Sequence, residues 1–141
     1  MSITTLLVGF LAIGAASFSI KRAETFPPVP SSINRLALAC PTDNTIKTWD
    51  NSTFSCASTT NLAAGDVTGI IAYSVKDCAD ACATASRFLD GGCDAFTLDA
   101  DLARSYSINN GANCWLKRQS DIDGETRDYN GVSGKLIDGR A

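Results

Sequence analysis

Cys78, Cys82, Cys93 and Cys114, with Cys40 and Cys56 upstream, are the residues whose type and spacing could do chemistry, and that chemistry is oxidative cross-linking. An even number of cysteines at regular spacing in a small exported chain is normally a disulfide framework. Zinc is the rival use of thiolates. With no histidine and no C-x2-C pair, a zinc site would need an all-thiolate set of unusual spacing, so no metal is expected. The lack of histidine also removes Ser-His-Asp and Cys-His nucleophile systems. Thirteen aspartates and two glutamates could supply an acid/base pair, yet nothing in their pattern singles out two of them. Asp99-x-Asp101 and Asp121-x-Asp123-Gly124 lack the further oxygen ligands and terminal glutamate of a calcium loop and read as solvated turns. No P-loop, nucleotide fingerprint or repeat is present, and neither an enzyme activity nor a cofactor is expected.

The elements that must position these cysteines begin with a helix. Ser74 can cap its first turn, with Asp77 as a capping-box partner and a favourable charge at the positive end. Cys78, Ala81, Cys82 and Ala85 then share a face of small side chains that lets the helix approach a sheet, before Gly91-Gly92 ends it. From Cys93 to Leu98, Phe96 and Leu98 fall on one side and Cys93 and Ala95 on the other, as in a strand buried on both faces. Trp115 and Leu116 repeat that logic, Trp115 as a core residue, and a last strand is expected over Val132–Ile137. Upstream, Leu36–Cys40, Ile46–Trp49 and Thr53–Cys56 are short strand candidates between turn formers. Asp99 to Asn113 is expected to be a 15-residue polar loop, long enough to be a recognition element. Lys117-Arg118 reads as a solvated strand end.

Leu6–Ala16 is an apolar run of signal-peptide length followed by small residues, and it is too short to span a bilayer comfortably. Residues 1–22 are therefore expected to be a secretion signal ending in a dibasic processing site, Lys21-Arg22, which resembles the cleavage site of fungal kexin-like proteases. Removing them leaves 10 basic against 15 acidic residues, a net charge of −5. That balance argues against nucleic acid, anionic lipid or heparin-like polysaccharide as a partner. Residues 23–35, with Phe26-Pro27-Pro28-Val29-Pro30, read as an extended arm, because each proline fixes φ and biases its predecessor away from helix. Residues 36–141 suffice for one domain with one core. Asn51-Ser52-Thr53 is an N-glycosylation acceptor and implies an exposed turn.

The series Ser74-x3-Cys78-Ala79-x2-Cys82, then Cys93-Asp94-Ala95-Phe96, then Cys114-Trp115-Leu116-Lys117 resembles the PAN/Apple family, whose core is a helix carrying C-x3-C followed by "C-x-A-F" and "C-x-L-K" strands. The likeness runs from about Gly65 to Leu136, roughly half the chain. It implies an α+β fold with one helix packed on an antiparallel sheet, and the pairs Cys78–Cys114 and Cys82–Cys93. Six cysteines allow 15 connectivities and spacing alone does not choose; the remaining pair would be Cys40–Cys56. No cysteine follows Cys114 in this sequence, so it departs from the subtype that joins its two chain ends.

The resemblance implies a secreted, extracellular module that binds carbohydrate or protein, with a cell-wall or adhesion role. Aromatic rings stack on sugar faces while amides and carboxylates bond hydroxyls. Tyr106, Asn109 and Asn110 in the long loop, with Trp49 and Tyr129, are the candidate ligand-binding residues. The alternatives are a small secreted effector that binds a host protein and a structural cell-wall glycoprotein. A monomer without stable membrane insertion is expected.

Overall fold

The computed structural model describes residues 34–90 and 92–139. The leader, Lys21-Arg22 and the proline-rich arm lie outside the described residues. The fold is α+β: strands β1 (Thr45–Lys47), β2 (Thr53–Ser55), β3 (Ala57–Ile70), β4 (Ala95–Asp99) and β5 (Cys114–Asp138), with helices α1 (Val75–Phe88) and α2 (Leu102–Asn109). Three disulfides, Cys40–Cys56, Cys78–Cys114 and Cys82–Cys93, join sequence separations of 16, 36 and 11 residues. They are the pairs implied by the resemblance together with the remaining one.

β3 and β5 form one long antiparallel ribbon, from Ile70 opposite Cys114 to Ala57 opposite Ser133. Its register shifts near Thr60, Ala64 and Asp66, and Thr59, Ala64, Gly65 and Asp128 all have positive φ. Each such bulge adds twist and bend. Gly65 is required at its bulge: its φ is +73°, and an added Cβ would stand 2.8 Å from the Arg118 carbonyl oxygen.

The bend brings the two ends of the ribbon to either side of β4. Ala95 faces both Lys117 and Lys135, and Leu98 faces both Cys114 and Val132; partner numbers fall as β4 numbers rise on both flanks. β2 extends the sheet beyond the Leu136 end, and β1 pairs with β2. A central strand with both neighbours supplied by one ribbon is buried from Ala95 to Leu98.

The two faces of β4 differ in chemistry. Phe96 and Leu98 join Leu116, Val132, Phe54 and the cysteines in the apolar core under α1. The helix presents Cys78, Ala79, Cys82, Ala83 and Ala85, all buried, and Ser74 caps it by accepting from the Asp77 N–H at 3.1 Å. Ala81, expected on the buried face, is only half-buried. On the opposite face Thr97 Oγ1 accepts from Leu62 N and bonds Ser133 Oγ, which donates to the Thr60 carbonyl. These side chains occupy backbone groups at the bulged part of the ribbon, where the ladder is interrupted.

Five expectations are corrected. Leu36–Cys40 is not a strand: its Leu36 N–H donates to the Ala100 carbonyl at 2.8 Å, and the segment runs past the start of α2 without a ladder. The expected loop from Asp99 to Asn113, which was to carry Tyr106, Asn109 and Asn110, contains α2 instead. Asp101 caps that helix by accepting from the Arg104 N–H, and Asn110 ends it at φ 52°. The segments around Trp115 and Val132–Ile137 belong to one 25-residue strand, and Asp121 to Gly124 lie within it rather than in a turn. Lys117 is not solvated but buried, at 3% exposure.

Candidate functional site

Alternation along β5 separates core from site. Cys114 and Leu116 pair with Leu98 and Phe96 on the side of α1, so Trp115 and Lys117 project to the other face, opposite Thr97 and Ala95. There the bent ribbon and α2 enclose a groove of about 410 Å³. Asp66, Trp115, Lys117 and Tyr129 line it from the ribbon, Asp99 from the end of β4, and Arg104 and Asn109 from α2.

Each polar group has a distinct local cause. The Lys117 ammonium donates to the Ala64 carbonyl at 2.8 Å and to the Asp66 carboxylate. The register shifts on either side of Ala64 leave that carbonyl available to a side chain. Asp99 accepts at Oδ1 from the Asp101 N–H at 2.8 Å and is hydrogen-bonded to the Tyr129 side chain. Burial foremost, then the negative charge of Asp99 and its hydrogen bond, pushes the Tyr129 phenol well above its ordinary range, while Arg104 opposes the shift. Arg104 itself is exposed and makes no salt bridge among the described residues.

The Tyr129 shift has a defined sign. Its folded-state pKa lies above the unfolded value near 10, so its contribution to stability is complete below pH 10 and is lost as pH rises towards the folded value. Absorbance titration at 295 nm should therefore show a phenol that ionises late, and Tyr129→Phe should remove that component. The substitution should also flatten the loss of stability measured by urea denaturation above pH 10.

Of the residues expected to bind ligand, Tyr129 and Asn109 line the groove. Tyr106, Asn110 and Trp49 do not line it. Tyr106 is half-exposed on α2, Asn110 is the cap of that helix, and Trp49 sits in the β1–β2 turn. Asn51 is exposed in the same turn. Trp115, expected in the core, is half-buried and forms part of the groove wall, with its ring against Gly69. Asp66 and Arg104 carry no signal in the sequence, while Asp99 reads there as part of a solvated turn and Lys117 as a solvated strand end. The signal for Trp115 and Lys117 is the period-two alternation itself, because Cys114 and Leu116 already occupy the core side.

A second hollow of about 430 Å³ opens beside the start of α1, but most of its lining is apolar, including Ala37, Leu38, Ile46 and Val75. Among the described residues no cluster of three or more carboxylates or thiols could hold a metal ion, and no helix is long and apolar enough to cross a membrane. No family model, no curated protein and no solved structure matches this chain.

Proposed function

We propose that the chain is a secreted, PAN/Apple-like binding module whose groove takes up extracellular carbohydrate. The observation that carries this reading is the convergence of Trp115 and Tyr129 with Asp66, Asp99, Arg104 and Asn109 on one concavity. Aromatic rings offer apolar faces to sugar C–H groups, and carboxylate, amide and guanidinium groups match hydroxyls as acceptors and donors. A volume of about 410 Å³ lies within the range of small-ligand sites and suits a mono- or disaccharide unit. The three disulfides fit an oxidising, extracellular setting. The PAN/Apple likeness supports the same reading through the order of its cysteines along helix and strands, and binding rather than catalysis is the role that these modules share.

The test is direct binding of the secreted protein to chitin, cellulose, β-glucan and a mixed glycan array. Saturable binding competed by soluble sugar is expected. Trp115→Ala should weaken it by at least about tenfold, the equivalent of one lost stacking contact. Asn109→Ala should weaken it less, and Tyr106→Ala, outside the groove, should leave it unchanged. Equal loss on Tyr106→Ala and Trp115→Ala would displace the site from the groove, and no binding to any glycan would transfer the reading to a protein partner.

A further inference from the structure

The β1–β2 connection holds an aromatic residue in water at the cost of several hydrogen bonds. Thr48 N donates to the Ser52 carbonyl at 2.9 Å and Asn51 N to the Thr48 carbonyl at 3.1 Å, which closes the three-residue loop Trp49-Asp50-Asn51. Asn51 takes the left-handed conformation, φ 67°, as the last residue of such loops does. The Trp49 N–H and indole N–H are tied to Asp80 Oδ1 and Thr84 Oγ1 of α1, each at 3.0 Å. Its ring lies parallel to Phe88 with centroids 6.4 Å apart, and the Arg87 guanidinium sits 5.4 Å from the ring centroid. Even so, Trp49 is 51% exposed, Phe88 69% and Leu89 57%. A fixed, open aromatic patch of this kind is normally a contact surface.

Two residues beyond Trp49, in the same loop, stands the acceptor Asn51 with the Thr53 hydroxyl that its recognition needs. We propose that Asn51 carries an N-linked glycan whose first N-acetylglucosamine lies on the open surface of Trp49. The glycan comes from a lipid-linked oligosaccharide diphosphate: the bond from the anomeric carbon to the phosphate oxygen breaks, the bond to Asn51 Nδ2 forms, the amide loses one proton, and the lipid diphosphate leaves. A sugar tethered within one loop is already at high effective concentration over the ring. Its C–H groups meet the π face without further loss of translational freedom. The inference concerns the opposite end of α1 from the hollow at its start and does not depend on what the groove binds.

The full chain, secreted from a eukaryotic host, tests this. Mass spectrometry of the Asn51 peptide should find it occupied. After endoglycosidase trimming to a single N-acetylglucosamine, the N-acetyl methyl resonance should be shifted upfield by the indole ring current, and Trp49→Leu should return it to its free position. Cross-relaxation between sugar and Trp49 indole protons in the unsubstituted protein is a second readout that needs no variant to fold. Trimmed protein should also melt about 4 °C above unglycosylated protein made in an oxidising bacterial host. An unoccupied Asn51, a methyl resonance at its free position, or the absence of sugar–indole cross-relaxation would each overturn the proposal.

Discussion

Replacing Cys78 and Cys114 together by alanine should lower stability by about 4 kcal/mol, the largest loss expected from removing any one bridge. The bridge closes the longest of the three loops, with a separation of 36 residues, and chain-entropy arguments rank its effect above those of the loops of 16 and 11. Length alone separates the bridges by less than about 1 kcal/mol. Position adds to it: both sulfur-bearing residues are fully buried, and they pin α1 to the first residue of β5. The next residue, Trp115, is part of the groove wall, so the same variant should weaken the proposed glycan binding before it unfolds. A fall in melting temperature of roughly 15 °C or more is expected. Urea denaturation with far- and near-ultraviolet circular dichroism would measure it. A loss below about 1 kcal/mol would mean that the unfolded chain is already restrained and that the bridge only records proximity.

What could be read from the residues follows the strength of local signals. Ser74, the C-x3-C spacing and the alternation around Phe96 each carry a period or a cap, and α1 and β4 stand where these signals place them. β3 gives no such signal. Ser58, Asn61, Ala63, Ala64, Gly65 and Asp66 have neither alternating bulk nor high strand propensity, and the strand exists because β5 pairs along its whole length. Conversely, Asp121, Asp123, Gly124, Asn130 and Gly131 look like turns, yet β5 runs through them, because bulges absorb the residues that a turn would otherwise use. α2 was hidden by its short length and by burying only Leu102 and Ser105, although its caps, Asp101 and Asn110, were legible. The groove was legible in the smaller part, for the same reason. Asn109 and Tyr129 stood out as polar or aromatic residues in polar surroundings, whereas Trp115 beside a cysteine resembled core. Lys117 beside Arg118 resembled surface until the Ala64 bulge supplied a buried partner.

Asn113→Leu, which keeps the branched shape and heavy-atom count of the side chain, should destabilise the fold by about 4 kcal/mol, since it strands backbone groups that cost roughly 1–3 kcal/mol each when buried without a partner. Asn113 is fully buried. Its Oδ1 accepts from Ala72 N at 2.8 Å, and its Nδ2 donates to the carbonyls of Ala72 at 2.8 Å and Asp99 at 3.2 Å. Its own backbone bonds Ile70 and Asp99. The side chain thus ties the link into α1 to the end of β4, and the Asn113 backbone adds the end of β3. Asp99 is also the partner of Tyr129 in the groove, so the proposed glycan binding should weaken in Asn113→Ala at temperatures where the protein remains folded. Asn113→Asp separates geometry from hydrogen bonding. A carboxylate keeps the acceptor for Ala72 N but faces two carbonyl oxygens, so burial and repulsion raise its pKa in the folded state. The stability of this variant should then be greatest below the unfolded carboxylate value near 4 and should decline as pH rises through the folded value. Urea midpoints of wild type and Asn113→Asp between pH 3 and pH 8 should therefore diverge with rising pH. A constant difference across that range would show that the site tolerates the charge through solvent access, against the complete burial that the fold assigns to it.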